Sequence, residues 1–302
     1  MQIHRSAVGL VAQAPAKLNL FFEVLGKRND GYHEIQTLMV PVDLYDTLYF
    51  REDSSGRVEL DCRQVPGIGG LGGYKLGDVP EGRENLVVRA LELLRSRAGV
   101  RSGASLRLVK RIPAAAGLGG GSSDAAAALA VANRGWNLGW SQPALAELAA
   151  ELGSDVPFFL ADGPAICRGR GERVEPVAGL GALCFVVVRP PVGLATSAVY
   201  RACQVPTDPR SPDPLLRALS RGSLAAAGRL LSNRLQPAAE GLSPWIRRLR
   251  EEMARLDLLG HQMSGSGTCY FGLCRHARHA RRVAGRLQAN GVGTVFAVRR
   301  SR

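Results

Sequence analysis

Residues 113–124 read Pro-Ala-Ala-Ala-Gly-Leu-Gly-Gly-Gly-Ser-Ser-Asp. A strand pattern precedes this stretch, and a small-residue helix pattern opens directly from it. That order suits an anion. Glycines let backbone N–H groups approach a phosphate closely, and a helix N-terminus adds free donors and the positive end of its dipole. The hydroxyls of Ser122 and Ser123 could serve a phosphate or a Mg²⁺ ion. No Lys-Ser or Lys-Thr follows the glycines, so this is not a Walker A loop. A mere capped connection accounts less well for four glycines within five residues placed strand-to-helix.

Other residues invite chemistry with less specificity. Lys17 and Asn19 sit two apart in an alternating stretch and share its polar, open face. Asp155 follows Gly153-Ser154 and precedes Val156-Pro157, where one helix stops and another starts. A carboxylate there stays ionised beside the helix dipole and can accept a proton, although an ordinary N-terminal Asp looks the same. Ser264-Gly265-Ser266-Gly267-Thr268 joins two short apolar segments, as a tight turn or as backbone approaching a ligand. Gly67–Gly72 matches G-x-G-x-x-G formally, yet no helix opens after it, so it reads as loop. Cys269, Cys274, His276 and His279 lie within eleven residues, but the spacing matches no usual zinc pairing and two arginines interrupt it. No side-chain cluster for a metal is expected. No G-x-S-x-G, H-E-x-x-H, H-R-D or D-F-G occurs.

Regular elements must hold these groups. Residues 14–24 alternate as a strand, with Ala16, Leu18, Leu20 and Phe22 on the core face. Asn29-Asp30-Gly31 is a turn, and a β-rich stretch follows to about Leu60. Residues 61–84 read as loop. Asn85 caps a helix whose apolar residues Leu86, Val87, Ala90, Leu91 and Leu94 keep the 3.6-residue period, with Gly99 past its end. Residues 104–110 alternate as a strand, and helices follow at 123–133 and from Ser141 to Gly153. Beyond about 165 the texture changes: a strand at 183–189, a proline-rich connection, amphipathic helices near 213–232 and 243–258, strands at 261–264 and 268–273, a helix at 275–290 and a strand at 293–299. The domain boundary is placed near 165, giving domains 1–165 and 166–302.

Composition narrows the class. The chain has 302 residues, 46% hydrophobic and 22% charged, which is ordinary for a globular protein of about two domains. The longest apolar runs fall well short of the ~18 residues of a membrane span, and Met1–Leu10 lacks the apolar core of a signal peptide. Six cysteines without a C-x-x-C pair suggest free thiols in a reducing cytoplasm. The net charge of +13 is lopsided: residues 1–200 carry 21 basic and 20 acidic groups, residues 201–302 carry 18 and 6. A basic third could face a nucleic acid or a membrane surface. No basic run reaches five residues and aromatics are only 6%, so arginine-rich solvated helix surface is the plainer reading, with no nucleic-acid or membrane partner.

Together the segments Pro15-Ala16-Lys17-Leu18-Asn19-Leu20, Asp30-Gly31-Tyr32-His33, Glu84-Asn85-Leu86-Val87, Lys110-Arg111-Ile112-Pro113 with the glycine loop, Gly153–Phe159 and Met263–Gly267 resemble the GHMP small-molecule kinases. They occur in family order across residues 14–272. The resemblance implies an α+β, two-domain GHMP-kinase fold: an N-terminal nucleotide-binding domain, a C-terminal ferredoxin-like α/β-plait domain, and the active site between them. The first and second segments point to the members that phosphorylate the 2-hydroxyl of 4-diphosphocytidyl-2-C-methyl-D-erythritol for non-mevalonate isoprenoid synthesis, with ATP and Mg²⁺. By that resemblance Asp155 is the catalytic base and Lys17 lies beside it and the acceptor oxygen. Pro113, Gly117, Leu118, Gly119, Gly120, Gly121, Ser122 and Ser123 would hold the ATP phosphates, with Asn85 and Lys110 also on the ATP side and Mg²⁺ reached through Ser122 or Ser123. Asn19 would bond the polyol. Tyr32 would stack on cytosine, His33 would bond its edge, and Tyr200 would supply a second aromatic. Ser264, Gly265, Ser266 and Gly267 would line the acceptor's phosphate side or steady the glycine loop. The implied partner is this small molecule alone, with the protein a monomer or homodimer.

Two features depart from the family pattern. The glycine-rich segment 66–77 is longer than usual, and Ala114-Ala115-Ala116 replaces part of a glycine run. Rival readings are another GHMP kinase acting on homoserine or a mevalonate-type acceptor, for which a base clamp at Tyr32-His33 has no use, and a basic binding module formed by residues 201–302.

Overall fold

The computed structural model describes residues 1–65 and 79–301. The Gly67–Gly72 segment, with the whole of the long 66–77 loop, lies outside them. In chain order the first half contains β1 (Gln2–Ser6), β2 (Gly9–Lys27), β3 (His33–Asp53), β4 (Val58–Gln64), α1 (Leu86–Ala98), β5 (Gly103–Lys110), α2 (Gly120–Gly135), α3 (Gln142–Leu152), α4 (Val156–Leu160), β6 (Ala165–Gly169) and β7 (Arg173–Pro176). The second half contains β8 (Cys184–Arg189), α5 (Thr196–Ala202), α6 (Asp213–Ser220), α7 (Leu224–Arg229), β9 (Ser232–Asn233), α8 (Gln236–Leu242), α9 (Pro244–Ala254), β10 (Gly260–Met263), β11 (Tyr270–Cys274), α10 (Ala277–Ala289) and β12 (Thr294–Arg299).

Two sheets organise these elements. The first runs β1-β2-β3-β5-β4, with β6 and β7 added beside β3 and β9 beside β2. Helices α1 and α2 pack on it with α3 against them, and Phe50, Leu91, Leu94 and Leu129 belong to that core. The caps read in the sequence are present: Asn85 Oδ1 accepts Val87 N–H at 2.9 Å, and Gly99 closes α1 in the left-handed conformation. The second sheet runs β10-β11-β8-β12, all antiparallel. That is the β-α-β-β-α-β plait, its crossovers being the α5–α9 segment and α10. A second cluster joins the sheets, with Leu18, Leu20 and Leu38 from one and Phe185 and Phe271 from the other.

Several expectations need correcting. The segment from residue 61 is strand as far as Gln64, because it pairs in parallel with β5. The helix expected over 213–232 is two short helices broken near Gly222, whose φ of 70° is left-handed. The 243–258 helix stops at Ala254. Strand β2 does not keep its alternation. Its register against β3 shifts between Asn19 and Phe21, and a bulge of this kind turns the following side chains over. Phe22 therefore leaves the face of Leu18 and Leu20 and joins the cluster with Ile35 and Val188. Hairpin β6–β7, just past residue 165, hydrogen-bonds to β3 of the first sheet, and the second sheet begins at Cys184.

Candidate active site

The two sheets meet along β2. Lys17 lies on β2 where a neighbouring loop crosses it: its N–H donates to Leu118 O at 2.9 Å. The side chain is not on an open face, since only 4% of Lys17 is exposed. Its ammonium donates to Asn19 Oδ1 at 2.6 Å and stands 3.4 Å from Asp155 Oδ2. Asp155 comes from the turn between α3 and α4, 138 positions along the chain, and its side chain is 34% exposed. It opens α4 without capping it through its side chain, so the carboxylate remains available to the cleft.

The glycine loop runs from Ala116 into α2. Its path is clamped on both sides, by the Leu118 bond to β2, by Cys269 N–H donating to Ala116 O at 3.0 Å, and by Ser264 Oγ donating to Gly117 O at 3.2 Å. Glycine is required here. Gly119 caps α2 with φ 71°, and a Cβ on it would come within 2.8 Å of the Phe159 ring and 3.0 Å of Lys17 Cγ. Gly117 has φ 75°, and a Cβ there would overlap the Ser264 carbonyl. The N–H groups of the first turn of α2 have no helical acceptor, which leaves an anion cradle beside Lys17 and Asp155.

A cleft of 1060 Å³ opens on this cradle. Gly117, Gly119 and Ser122 line its floor, with Lys17 and Asp155 beside them, and Gly265, Ser266 and Gly267 line it too, Gly265 close to Lys17 and Gly267 close to Gly117. Its other end is aromatic. The His33 and Tyr200 rings stand 5.1 Å apart, and Phe22 meets Tyr200 edge-on at 6.4 Å. Burial raises the Tyr200 hydroxyl pKa, with the Asp155 charge adding to the effect, and burial lowers that of His33. Both rings thus stay neutral near pH 7. Tyr32, 51% exposed, stands at the rim.

Some residues expected at the ligand are elsewhere. Lys110 does not line the cleft. It is buried, with its ammonium held between Asp46 and Asp124 (the latter at 2.6 Å). Burial alone would lower its pKa, but the two carboxylates outweigh burial and raise it. Asp124 is raised to about 8, first by burial and then by the like charge of Asp46. Asn85 spends its amide on the cap and on Pro80 O at 2.8 Å. Asn19 is buried and its amide N–H donates to Thr37 Oγ1 at 2.8 Å while its Oδ1 accepts a hydrogen bond from the Lys17 ammonium. Ser123 is buried, whereas Ser122 reaches the cleft. Ser264 is buried too, beneath Gly265. Pro113, Leu118 and Gly120 are buried supports of the loop, and Gly121 is exposed at its outer side.

Sequence reasoning missed Asp46 and Asn233. Asp46 Oδ1 accepts Ile112 N–H at 2.9 Å as well as Arg111 N–H, tying β3 to the start of the loop. Asn233 donates to Met263 O and Gly265 O, both at 2.8 Å. Neither stands in a recognisable spacing. Among the described residues, no group of three His, Cys, Asp or Glu could hold a metal, and the cysteines are free thiols.

Two family models match: GHMP kinases N terminal domain over residues 85–163 and GHMP kinases C terminal over 215–293. A 4-diphosphocytidyl-2-C-methyl-D-erythritol kinase of Pelotomaculum thermopropionicum is 45% identical over 279 residues, covering 92% of this chain and 93% of that protein. The chain belongs to the 4-diphosphocytidyl-2-C-methyl-D-erythritol kinase family of GHMP kinases. The enzyme of that name from Shouchella clausii is 38% identical, covering 90% and 88%. A crystal structure of 4-(cytidine 5'-diphospho)-2C-methyl-D-erythritol kinase superposes with a TM-score of 0.79 at 37% identity, over 97% of this chain and 100% of that one. A homoserine kinase from Cytophaga hutchinsonii shares the fold, with a TM-score of 0.71 at 18% identity, over 100% of this chain and 97% of that one. The expected GHMP-kinase fold is therefore present, and the chain is a small-molecule kinase. No described helix is long and apolar enough to cross a membrane.

Proposed function

We propose that this kinase transfers the ATP γ-phosphoryl group to the 2-hydroxyl of 4-diphosphocytidyl-2-C-methyl-D-erythritol, with Asp155 as the base. The observation that carries the chemistry is the Lys17–Asp155 pair, 3.4 Å apart at the edge of the glycine cradle. Asp155 accepts the hydroxyl proton as the oxygen attacks phosphorus. Lys17 offsets charge on that oxygen and on the moving phosphoryl group, and Asn19 Oδ1 aims its ammonium. First-turn N–H groups of α2 hold the donor's phosphates. The cradle also fits Mg²⁺, since Ser122 presents a half-exposed hydroxyl on the cleft floor. Bound there, the ion would neutralise the donor's phosphate oxygens.

Tyr32, His33 and Tyr200 supply the flat surface a cytosine ring needs, and Ser266 with the Gly265 and Gly267 backbone faces the acceptor's phosphates. Lys110, Asn85 and Asn19 act as supports behind the site rather than as ligand contacts. We place the domain boundary between Pro176 and Cys184 rather than near 165, because β6 and β7 complete the first sheet. The substrate class and free thiols suit the cytoplasm.

The aromatic end favours a nucleotide acceptor over homoserine or a mevalonate-type alcohol. A panel of these acceptors with γ-labelled ATP tests the reading. Label should pass to the cytidyl-diphosphate acceptor at least about a hundredfold faster than to the others, since a site built for a base and a diphosphate leaves those groups unpaired with a smaller alcohol. Faster labelling of homoserine or mevalonate would overturn it.

A further inference from the structure

Tyr32 is the most exposed of the aromatic residues assigned to the base, and a ring at a rim is free to swing. Its backbone is fixed. Asp30 Oδ1 accepts the Tyr32 N–H at 3.1 Å, closing an Asx turn. Its ring needs a separate support, and Arg170 stands there: the guanidinium carbon lies 4.8 Å from the ring centroid.

The arginine is placed for this by its own turn. Arg170 sits at the tip of the β6–β7 hairpin, where its N–H donates to Glu172 Oε2 at 2.6 Å. The next residue, Gly171, has φ 117°, and a Cβ on it would lie 3.7 Å from Asp155 Oδ1. The hairpin tip therefore touches the reacting end of the cleft through Gly171 and the base end through Arg170. Neighbouring arginines are occupied: Arg28 pairs with Asp30 and Glu34, Arg168 with Glu175, and Arg173 with Glu34. The Arg170 guanidinium has no carboxylate oxygen within 4.0 Å among the described residues, so its planar fork is not drawn from the ring. A guanidinium stacked on one face of a tyrosine attracts the ring and leaves the opposite face open.

We propose that Arg170 is a positioning residue for acceptor recognition: it backs the Tyr32 ring and holds the free face ready for cytosine. The inference rests on the proposed function and adds a residue that no family segment contains. An ordered ring loses less freedom when the base stacks, so the gain falls on acceptor binding and not on phosphoryl transfer. Arg170→Ala should raise the acceptor KM about five- to tenfold, while kcat and the KM for ATP stay within about twofold. In a Tyr32→Ala background the same change should raise the acceptor KM by less than about twofold, because the ring it supports is gone. An unchanged acceptor KM in Arg170→Ala would overturn the inference, as would an equal rise with and without the Tyr32 ring. Wild-type protein active on the acceptor keeps the functional reading intact in either case. Wild-type protein inactive on the acceptor removes that reading and the inference together.

Discussion

At the scale of single residues, the chemistry concentrates on one buried cation. Lys17 is almost fully buried beside two partners, Asn19 and Asp155. Burying an ammonium is costly unless it is paired, so the pair exists because the site needs it rather than because the fold gains from it. Replacing Lys17 by Met keeps the volume and removes the charge. kcat should then fall by about 10²- to 10³-fold with the thermal midpoint little moved; a rate within about threefold of wild type would refute the role. Types and spacing made Lys17 and Asn19 visible as candidates, and the family resemblance added Tyr32 and His33. The burial of Lys17 and Asn19 was not visible, because it depends on Ser264 and Gly265, some 245 positions away. Lys110 shows the converse. Its motif made it look like a ligand contact, yet Asp46 and Asp124, neither suspected, hold it behind the loop.

At the scale of elements, the phosphate cradle is made by three pieces that must agree. Strand β3 brings Asp46, strand β5 ends on Lys110, and α2 brings Asp124 one turn after its start. Two carboxylates around one ammonium leave an excess negative charge, which favours a proton on Asp124. The folded chain then retains a proton, up to about pH 8, that the unfolded chain loses near the ordinary carboxylate value. Stability contributed this way is present at low pH and is lost as pH rises through about 8. Asp124→Asn should therefore flatten the fall of the thermal midpoint between about pH 5 and about pH 8, and an undiminished slope in that variant would count against the triad's protonation. Lys110, raised by the same carboxylates, stays charged across this range. Elements with strong periodic or capping signals, such as α1 and α3, were legible. The β6–β7 hairpin, α5 and α8 were not. They are four to seven residues long and are held by tertiary pairing, as β6 is by β3, so no local period announces them. The bulge in β2 was equally silent, since an extra residue changes no residue type.

At the scale of the molecule, the cleft lies where the first sheet and the plait share a core, and the chain crosses between them through paired charges. Arg234, just after β9, donates to buried Glu23 on β2 at 2.6 Å. Much of the positive charge that dominates the composition belongs to other surfaces, although Lys27, Arg170 and Arg201 line the cleft. Arg278, Arg281, Arg282 and Arg286 occupy the exposed side of α10, away from the groups that line the cleft. A general positive field can speed the arrival of two polyanionic substrates, but selection rests on the cradle, Lys17 and the aromatic end. The central claim is that Asp155 takes the proton while the cradle holds the phosphoryl group. Its most direct test is the rate at which label passes from γ-labelled ATP to the 2-hydroxyl of the cytidyl-diphosphate acceptor, in wild type and in Asp155→Asn at matched thermal midpoints. The account predicts steady transfer by wild type and a drop of about 10²- to 10⁴-fold in the variant with both KM values nearly unchanged. Equal rates in the two proteins would contradict it.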